Sequence, residues 1–172
     1  MKVFSIRKRN KEMELLMESE RTGLLQYACY RLGSSDDAED AVQDLFVRLH
    51  QRLQDGGTDI RNLTAYLYRS LSNLCVSRLR QAEHVRLVPL DSQAELPDTD
   101  REDFEQEYRR ISRLLSSIPY EQAEVIRLRF YGDKSFREIA EILDQPLTTV
   151  KSRFQYGMEK IRQGMRAPSL IV

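Results

Sequence analysis

Residues 36–53 read DDAEDAVQDLFVRLHQRL, and this stretch decides the fold class. Its apolar residues Ala38, Ala41, Val42, Leu45, Phe46, Leu49 and Leu53 recur at steps of three and four, which places them on one face of an α-helix. Ser35 stands before it as an N-cap, with Asp36 and Asp37 in the first turn, where the helix dipole favours negative charge. The outward face carries Asp36, Asp37, Glu39, Asp40, Gln43 and Asp44. Such a strip suits a basic protein surface, although a charged strip taken alone is more often a solvated face.

The same periodicity extends in both directions. The preceding segment places Leu15, Leu16, Leu24, Leu25, Ala28 and Leu32 on a helix that Gly33 closes. After a turn at Gly56 and Gly57, Leu63, Leu67, Leu71, Leu74 and the stem of Arg78 form the stripe of a third helix. Its other side carries Asn62, Tyr66, Arg69, Asn73 and Arg80, with Arg61 and Tyr68 nearby. Interleaved Tyr, Arg and Asn suit single-stranded DNA, whose bases stack on rings and whose phosphates meet guanidinium groups; tyrosine on a helix is also ordinary core material. The three helices predict one domain over 12–83.

From His84 to about Glu102 the helical pattern lapses, with Pro89, Pro97 and dense acids. Residues 91–107 hold eight acids against Arg101, whereas residues 1–11 hold five bases and no acid. The 27 basic and 27 acidic residues of the 172-residue chain cancel overall, so only this uneven distribution is informative. An acidic linker over 84–106 therefore separates a second helical domain over 107–166, and the expected architecture is all-α with two small domains. Seven glycines, five prolines and no strict apolar alternation leave a sheet without support.

In the second domain Phe104, Tyr108, Ile111, Leu115 and Ile118 form a narrow seam ended by Pro119. Val125, Ile126 and Phe130 follow on a helix that Gly132 stops. Phe136, Ile139, Ala140 and Leu143 then make a short helix, broken at Asp144, Gln145 and Pro146 before Leu147, Val150, Phe154, Met158, Ile161 and Met165. Two helices three residues apart make a helix-turn-helix candidate. Burying Val150, Phe154, Met158 and Ile161 turns Lys151, Ser152, Gln155 and Tyr156 outward, with Arg153 beside them. Lys151 can reach phosphate and Gln155 can bond adenine in the major groove. Thr148 and Thr149 stand at the helix start, where amides and hydroxyls meet a phosphate. Residues 125–166 carry nine bases against five acids, though a solvated helical hairpin fits the same spacing.

Other classes find little here. No nucleophile-base pair, metal cluster or glycine-rich phosphate loop points to an enzyme, and no cofactor is implied. Cys29 and Cys75 form no CxxC pair, and His50 and His84 lack metal-ligand spacing with them, so two free buried thiols are expected. No apolar run approaches the roughly 18 residues that span a bilayer, and the basic start lacks a signal-peptide core, which predicts a cytoplasmic protein without membrane insertion. A transcription factor that binds duplex DNA alone and a purely helical interaction protein stay open on these residues.

A resemblance narrows the choice. DDAEDAVQDLFVRL is similar to the core-polymerase-binding helix of extracytoplasmic-function sigma factors, and LTAYLYRSLSN followed by RLR resembles their promoter-melting and minus-ten helix. SFREIAEIL, then TTVKSRF and a basic tail, resembles their minus-thirty-five helix-turn-helix. The resemblance implies a specificity subunit that binds core RNA polymerase and promoter DNA under the control of an anti-sigma factor. The acidic strip would face the polymerase clamp, and the loop from Asp55 to Asn62 with the following helix would hold a flipped base. Three positions depart from the family: Tyr66 replaces the tryptophan usual before Leu67, Asp144 the usual turn glycine, and Gln145 an apolar residue. Aspartate tolerates the left-handed conformation that such a turn needs.

Overall fold

The computed structural model describes the backbone of residues 2–55, 60–86 and 99–166, and side chains over 11–55, 60–83 and 103–166. Seven α-helices occupy the described residues: α1 (Lys2–Leu32), α2 (Ser35–Gln54), α3 (Leu63–Arg86), α4 (Thr99–Ser116), α5 (Tyr120–Phe130), α6 (Phe136–Leu143) and α7 (Leu147–Arg166). They form two compact units, α1 to α3 and α4 to α7. The turn at Gly56 and Gly57, and the middle of the acidic linker, lie outside the described residues.

The first unit is a three-helix core. Leu24, Tyr27 and Ala28 of α1, Ala41, Leu45 and Leu49 of α2, and Leu67, Leu71 and Cys75 of α3 are completely or almost completely buried. Gly33 ends α1 with φ 76, a left-handed conformation that favours glycine, and its N–H donates to the Cys29 carbonyl at 2.8 Å. The N-cap of α2 is Ser34 rather than Ser35: its hydroxyl accepts from the Asp37 N–H at 3.2 Å. Either serine has the chemistry, and only the backbone path decides, since Ser34 is extended (φ −146) whereas Ser35 is already helical.

Several apolar assignments change face. Leu15 is 64% exposed, while Met17 and Tyr27, outside the expected stripe, are buried. Tyr68, expected beside the polar face of α3, is fully buried and meets Tyr27 edge to face at a ring separation of 5.9 Å. Of the two thiols, neither of which is in a disulfide, Cys75 is buried and Cys29 half-buried; burial raises the pKa of Cys29 above that of an ordinary thiol.

In the second unit Leu115, Ile118, Ala123 and Ile126 form a cluster against which Ile111, Phe154, Met158 and Ile161 pack. Gly157 lets α7 approach α5 closely, for a Cβ there would stand 2.9 Å from Ile126 Cδ1 and 3.2 Å from Gln122 Cβ. Phe130 departs from the expected core, being 57% exposed at the end of α5, and Met165 is exposed at the end of α7. Glu124 is buried instead, with Arg127 one turn on at 3.4 Å. The left-handed residue after α5 is Asp133 (φ 51), not Gly132.

Helix reaches into both ends of the stretch expected as an acidic linker, 84–106. Helix α3 runs to Arg86 and α4 begins at Thr99, so 99–106 are helical and twelve residues, 87–98, separate the two helices. The physical reason is legible at the junction. Phe104 stacks on Tyr108 one turn later with rings 6.4 Å apart, and Glu105 pairs with Arg109 at 3.1 Å, both helix-stabilising spacings.

Candidate docking and nucleic-acid interfaces

Helix α2 exposes Asp36, Asp37, Glu39, Asp40, Gln43 and Asp44 together, as its periodicity predicts. The strip is not wholly without a basic partner. Arg78 of α3 reaches the Asp44 carboxylate at 2.6 Å and the Asp37 carbonyl at 3.3 Å, so part of the negative end is tied to the neighbouring helix. The leucine stripe had assigned Arg78 only its stem; its head spans α2 and α3.

On α3 the residues expected to meet DNA are scattered along one side. Tyr66 is half-buried, whereas Arg69, Asn73 and Arg80 are exposed. Tyr66 and Arg80 are fourteen positions apart, about 21 Å at the helical rise of about 1.5 Å per residue. Arg61 is exposed before the helix starts. Asn62 holds the helix itself, since its side-chain oxygen accepts the Ala65 N–H at 2.9 Å and caps α3.

Two residues that helical periodicity did not single out stand beside Tyr66. The Arg52 guanidinium of α2 lies over the Tyr66 ring, 5.2 Å from its centroid. Arg48, one turn earlier on α2, lines a cleft with Tyr66, Ser70, Asn73 and Ser77. The signal was present in the sequence as the change of sign along α2, from acids up to Asp44 to Arg48, His50 and Arg52.

The helix-turn-helix is α6, three residues and α7. Ser135 and Glu138 form a capping box at the start of α6: the Ser135 hydroxyl accepts the Glu138 N–H at 3.3 Å, and the Glu138 carboxylate accepts the Ser135 N–H at 2.8 Å. Burial pushes the Glu138 pKa up, but the hydrogen bonds from Ser135 and the charges of Lys134 and Arg129 outweigh it, leaving the carboxyl below its ordinary range. Asp144 adopts φ 51, ψ 51, so the left-handed turn survives the loss of glycine, and the Gln145 N–H donates to the Ala140 carbonyl at 2.9 Å.

On α7 Thr148, Lys151, Ser152, Gln155 and Tyr156 are exposed, Tyr156 by 60%. Thr149 and Arg153 are half-buried. Ser152 donates its hydroxyl proton to the Thr148 carbonyl at 2.9 Å, so toward an external group it is an acceptor. Among the described residues no three His, Cys, Asp or Glu side chains converge on a metal position, and no helix is long and apolar enough to cross a membrane.

Residues 16–85 match the model of sigma-70 region 2, and residues 108–161 that of sigma-70 region 4. The chain belongs to the sigma-70 family, in its extracytoplasmic-function group. Curated relatives agree along most of their length. The chain is 29% identical over 153 residues to the ECF RNA polymerase sigma factor SigW of Bacillus subtilis, covering 80% of this chain and 81% of that protein. It is 25% identical over 133 residues to the ECF RNA polymerase sigma factor RpoE of Cereibacter sphaeroides, covering 76% and 74%.

Two solved structures share the fold. CnrH in complex with the cytosolic domain of CnrY aligns over 97% of this chain and 96% of its own, with TM-score 0.67 and 22% identity. The sigma factor RpoE in complex with the anti-sigma factor NepR from Bartonella quintana aligns over 94% and 99%, with TM-score 0.56 and 23% identity.

Proposed function

We infer that this chain is an alternative sigma factor, which binds core RNA polymerase and directs it to initiate at particular promoters. One observation carries the reading: two sigma-70 regions match in order, one on each helical unit, across residues 16–85 and 108–161. Polymerase supplies the chemistry, and the chain contributes binding and selection in the cytoplasm, where polymerase and promoters meet.

The site residues take their roles within that reading. The exposed acids of α2 meet a cation-rich polymerase surface. The polar side of α3, with Arg61, Tyr66, Arg69, Asn73 and Arg80, meets the melted minus-ten strand, and Asn62 acts mainly by capping the helix that presents them. On α7 Lys151 meets phosphate, Gln155 and Tyr156 face base edges, and Thr148, Thr149, Ser152 and Arg153 support the contact from the helix start and flank. An anti-sigma protein is the expected regulator, a role supported by the fold shared with a sigma factor bound to one.

Reconstitution tests this directly. Added to purified core polymerase and a genomic template, the chain is expected to produce transcripts from defined start sites that core alone does not make. DNA binding without start-site selection would mark an ordinary helix-turn-helix regulator, and binding to neither polymerase nor DNA would mark an interaction protein.

A further inference from the structure

Along one side of α4, Gln106, Arg110, Arg113 and Ser117 follow one another at steps of four, three and four, with Arg109 and Leu114 beside them. Together with Gly164 and Met165 near the end of α7 they line an open cleft of about 730 Å³ within the second unit. None of these lining residues is acidic. Arg109 pairs with Glu105 at 3.1 Å, an exposed contact that holds only one of the three charges. Arg113 donates its Nε–H to the Arg109 carbonyl at 3.3 Å, and among the described residues neither Arg110 nor Arg113 makes an ion pair. Arg109 and Arg113 are four apart, a spacing at which like charges destabilise a helix.

Gly164 is a second observation on the same cleft. A helical glycine weakens a helix relative to alanine, so it calls for a reason. Conformation supplies none, since among the described residues the only glycine with positive φ is Gly33. Packing supplies none either: a Cβ at Gly164 would meet nothing within 4 Å, whereas Gly157 on the same helix admits α5. What the missing side chain leaves is space in the cleft. Clustered guanidinium groups and a glycine without a packing role both weaken the unit, and an anion held between them accounts for both.

The lining selects the class of anion. Three neighbouring arginines suit adjacent phosphates, which guanidinium groups grip in pairs of hydrogen bonds, better than a lone carboxylate that one arginine satisfies. Leu114 and Met165 offer apolar surface for a ring, with a thioether that packs well on aromatics. The Gln106 carboxamide has both donors and acceptors for a base edge. Ser117 gives its hydroxyl proton to the Leu114 carbonyl at 2.7 Å, so it accepts, as a ribose hydroxyl requires. The volume lies within the range of about 300 to 1,000 Å³ of small-molecule sites. Gly164 is thirteen positions from Lys151 on α7, about 20 Å at about 1.5 Å per residue, which separates the cleft from the DNA-reading face.

We propose that the α4–α7 cleft binds a nucleoside di- or triphosphate, with Arg109, Arg110 and Arg113 on its phosphates and Gln106, Leu114 and Met165 around its base. The site is additional to the polymerase and promoter contacts and does not depend on them.

The test uses the free full-length chain and fluorescently labelled ATP and GTP, read by anisotropy. Saturable binding of at least one of them is expected, with the unlabelled di- and triphosphates displacing it and the monophosphate far less effective. Arg110→Gln should weaken binding about tenfold, the low end for losing a hydrogen bond to a charged group, and Arg110→Lys should recover part of the loss. Gly164→Leu removes no charge but fills the cleft, so it should weaken binding by a similar factor while helicity by circular dichroism is kept or rises. Absence of saturable binding to either nucleotide overturns the proposal, as does unchanged affinity in Gly164→Leu. Displacement by a polyglutamate peptide or by duplex DNA more readily than by unlabelled nucleotide also overturns it, and would assign the arginines to a macromolecule. Each of these failures leaves the sigma-factor reading intact, because neither polymerase nor promoter opening enters the measurement.

Discussion

At the scale of single residues, Lys151 and Gln155 share the exposed face of α7 but differ in chemistry. A phosphate contact positions the protein on any sequence, whereas a base-edge contact selects. Lys151→Ala is expected to lower activity at every target promoter and reduce the salt slope by about one. Gln155→Ala should cost about 1 to 3 kcal/mol at one base position and relax the preference there. Transcription from a library of minus-thirty-five variants checks this, and an equal loss across all variants would refute the readout face. Tyr66 illustrates how a residue gains a second tie: smaller than the tryptophan usual there, it is held from α2 by the Arg52 guanidinium.

At the scale of the element, α6 depends on its first turn because eight residues give few helical hydrogen bonds of their own. Removing the capping oxygen by Ser135→Ala should cost about 1 kcal/mol of stability in the second unit. The Glu138 half of the box adds a pH dependence. Its carboxyl is held below the ordinary range, so its contribution is complete above that range and disappears as pH falls through the depressed value. Thermal unfolding of wild type and Glu138→Gln should differ near neutrality and converge on acidification; a constant difference would show that the charge plays no part.

Helix α2 carries the other element-level prediction. Asp44 is tied to Arg78, so reversing it disturbs the α2–α3 contact as well as the surface, although an exposed pair of this kind contributes only about 0 to 1 kcal/mol. Asp40 is exposed and gives the cleaner reversal. Asp40→Lys should weaken binding to core polymerase while preserving helicity by circular dichroism, and undiminished affinity in a competition assay would remove the strip from the polymerase interface.

For the whole molecule the governing quantity is the chain between α3 and α4. Twelve residues, 87–98, can span at most about 43 Å at about 3.6 Å each. Two promoter elements two duplex turns apart are separated by about 70 Å, more than the linker can span even fully extended, so engaging both would need the linker stretched and the units themselves to bridge the remainder. Deleting 91–98 leaves four residues, about 14 Å, between the helices. Promoter-directed initiation should then be lost while core binding through the first unit is retained, as measured by run-off transcription and polymerase pull-down. Full initiation by the deleted chain would show that the units do not need that separation.

The sequence alone determined the all-helical class, the exposed acids of α2, the three-residue break of the helix-turn-helix and the exposed face of α7. These follow from periodicity, breaks and turn chemistry, which are properties of neighbours along the chain. The family resemblance was legible for the same reason, since its motifs are runs of such neighbours. Tertiary structure decided which helix each face meets. It buried Tyr68 on Tyr27, carried Arg78 to Asp44, left Phe130 exposed while Glu124 went inside, and brought Arg48 and Arg52 of α2 beside Tyr66 on α3. No spacing within one helix encodes the approach of another, because that depends on which ridges fit which grooves across the core. The acidic linker shows the limit from the other side: its charge was plain in the sequence, but its end was set by Phe104 on Tyr108 and Glu105 on Arg109, contacts that make helix of what composition reads as tether.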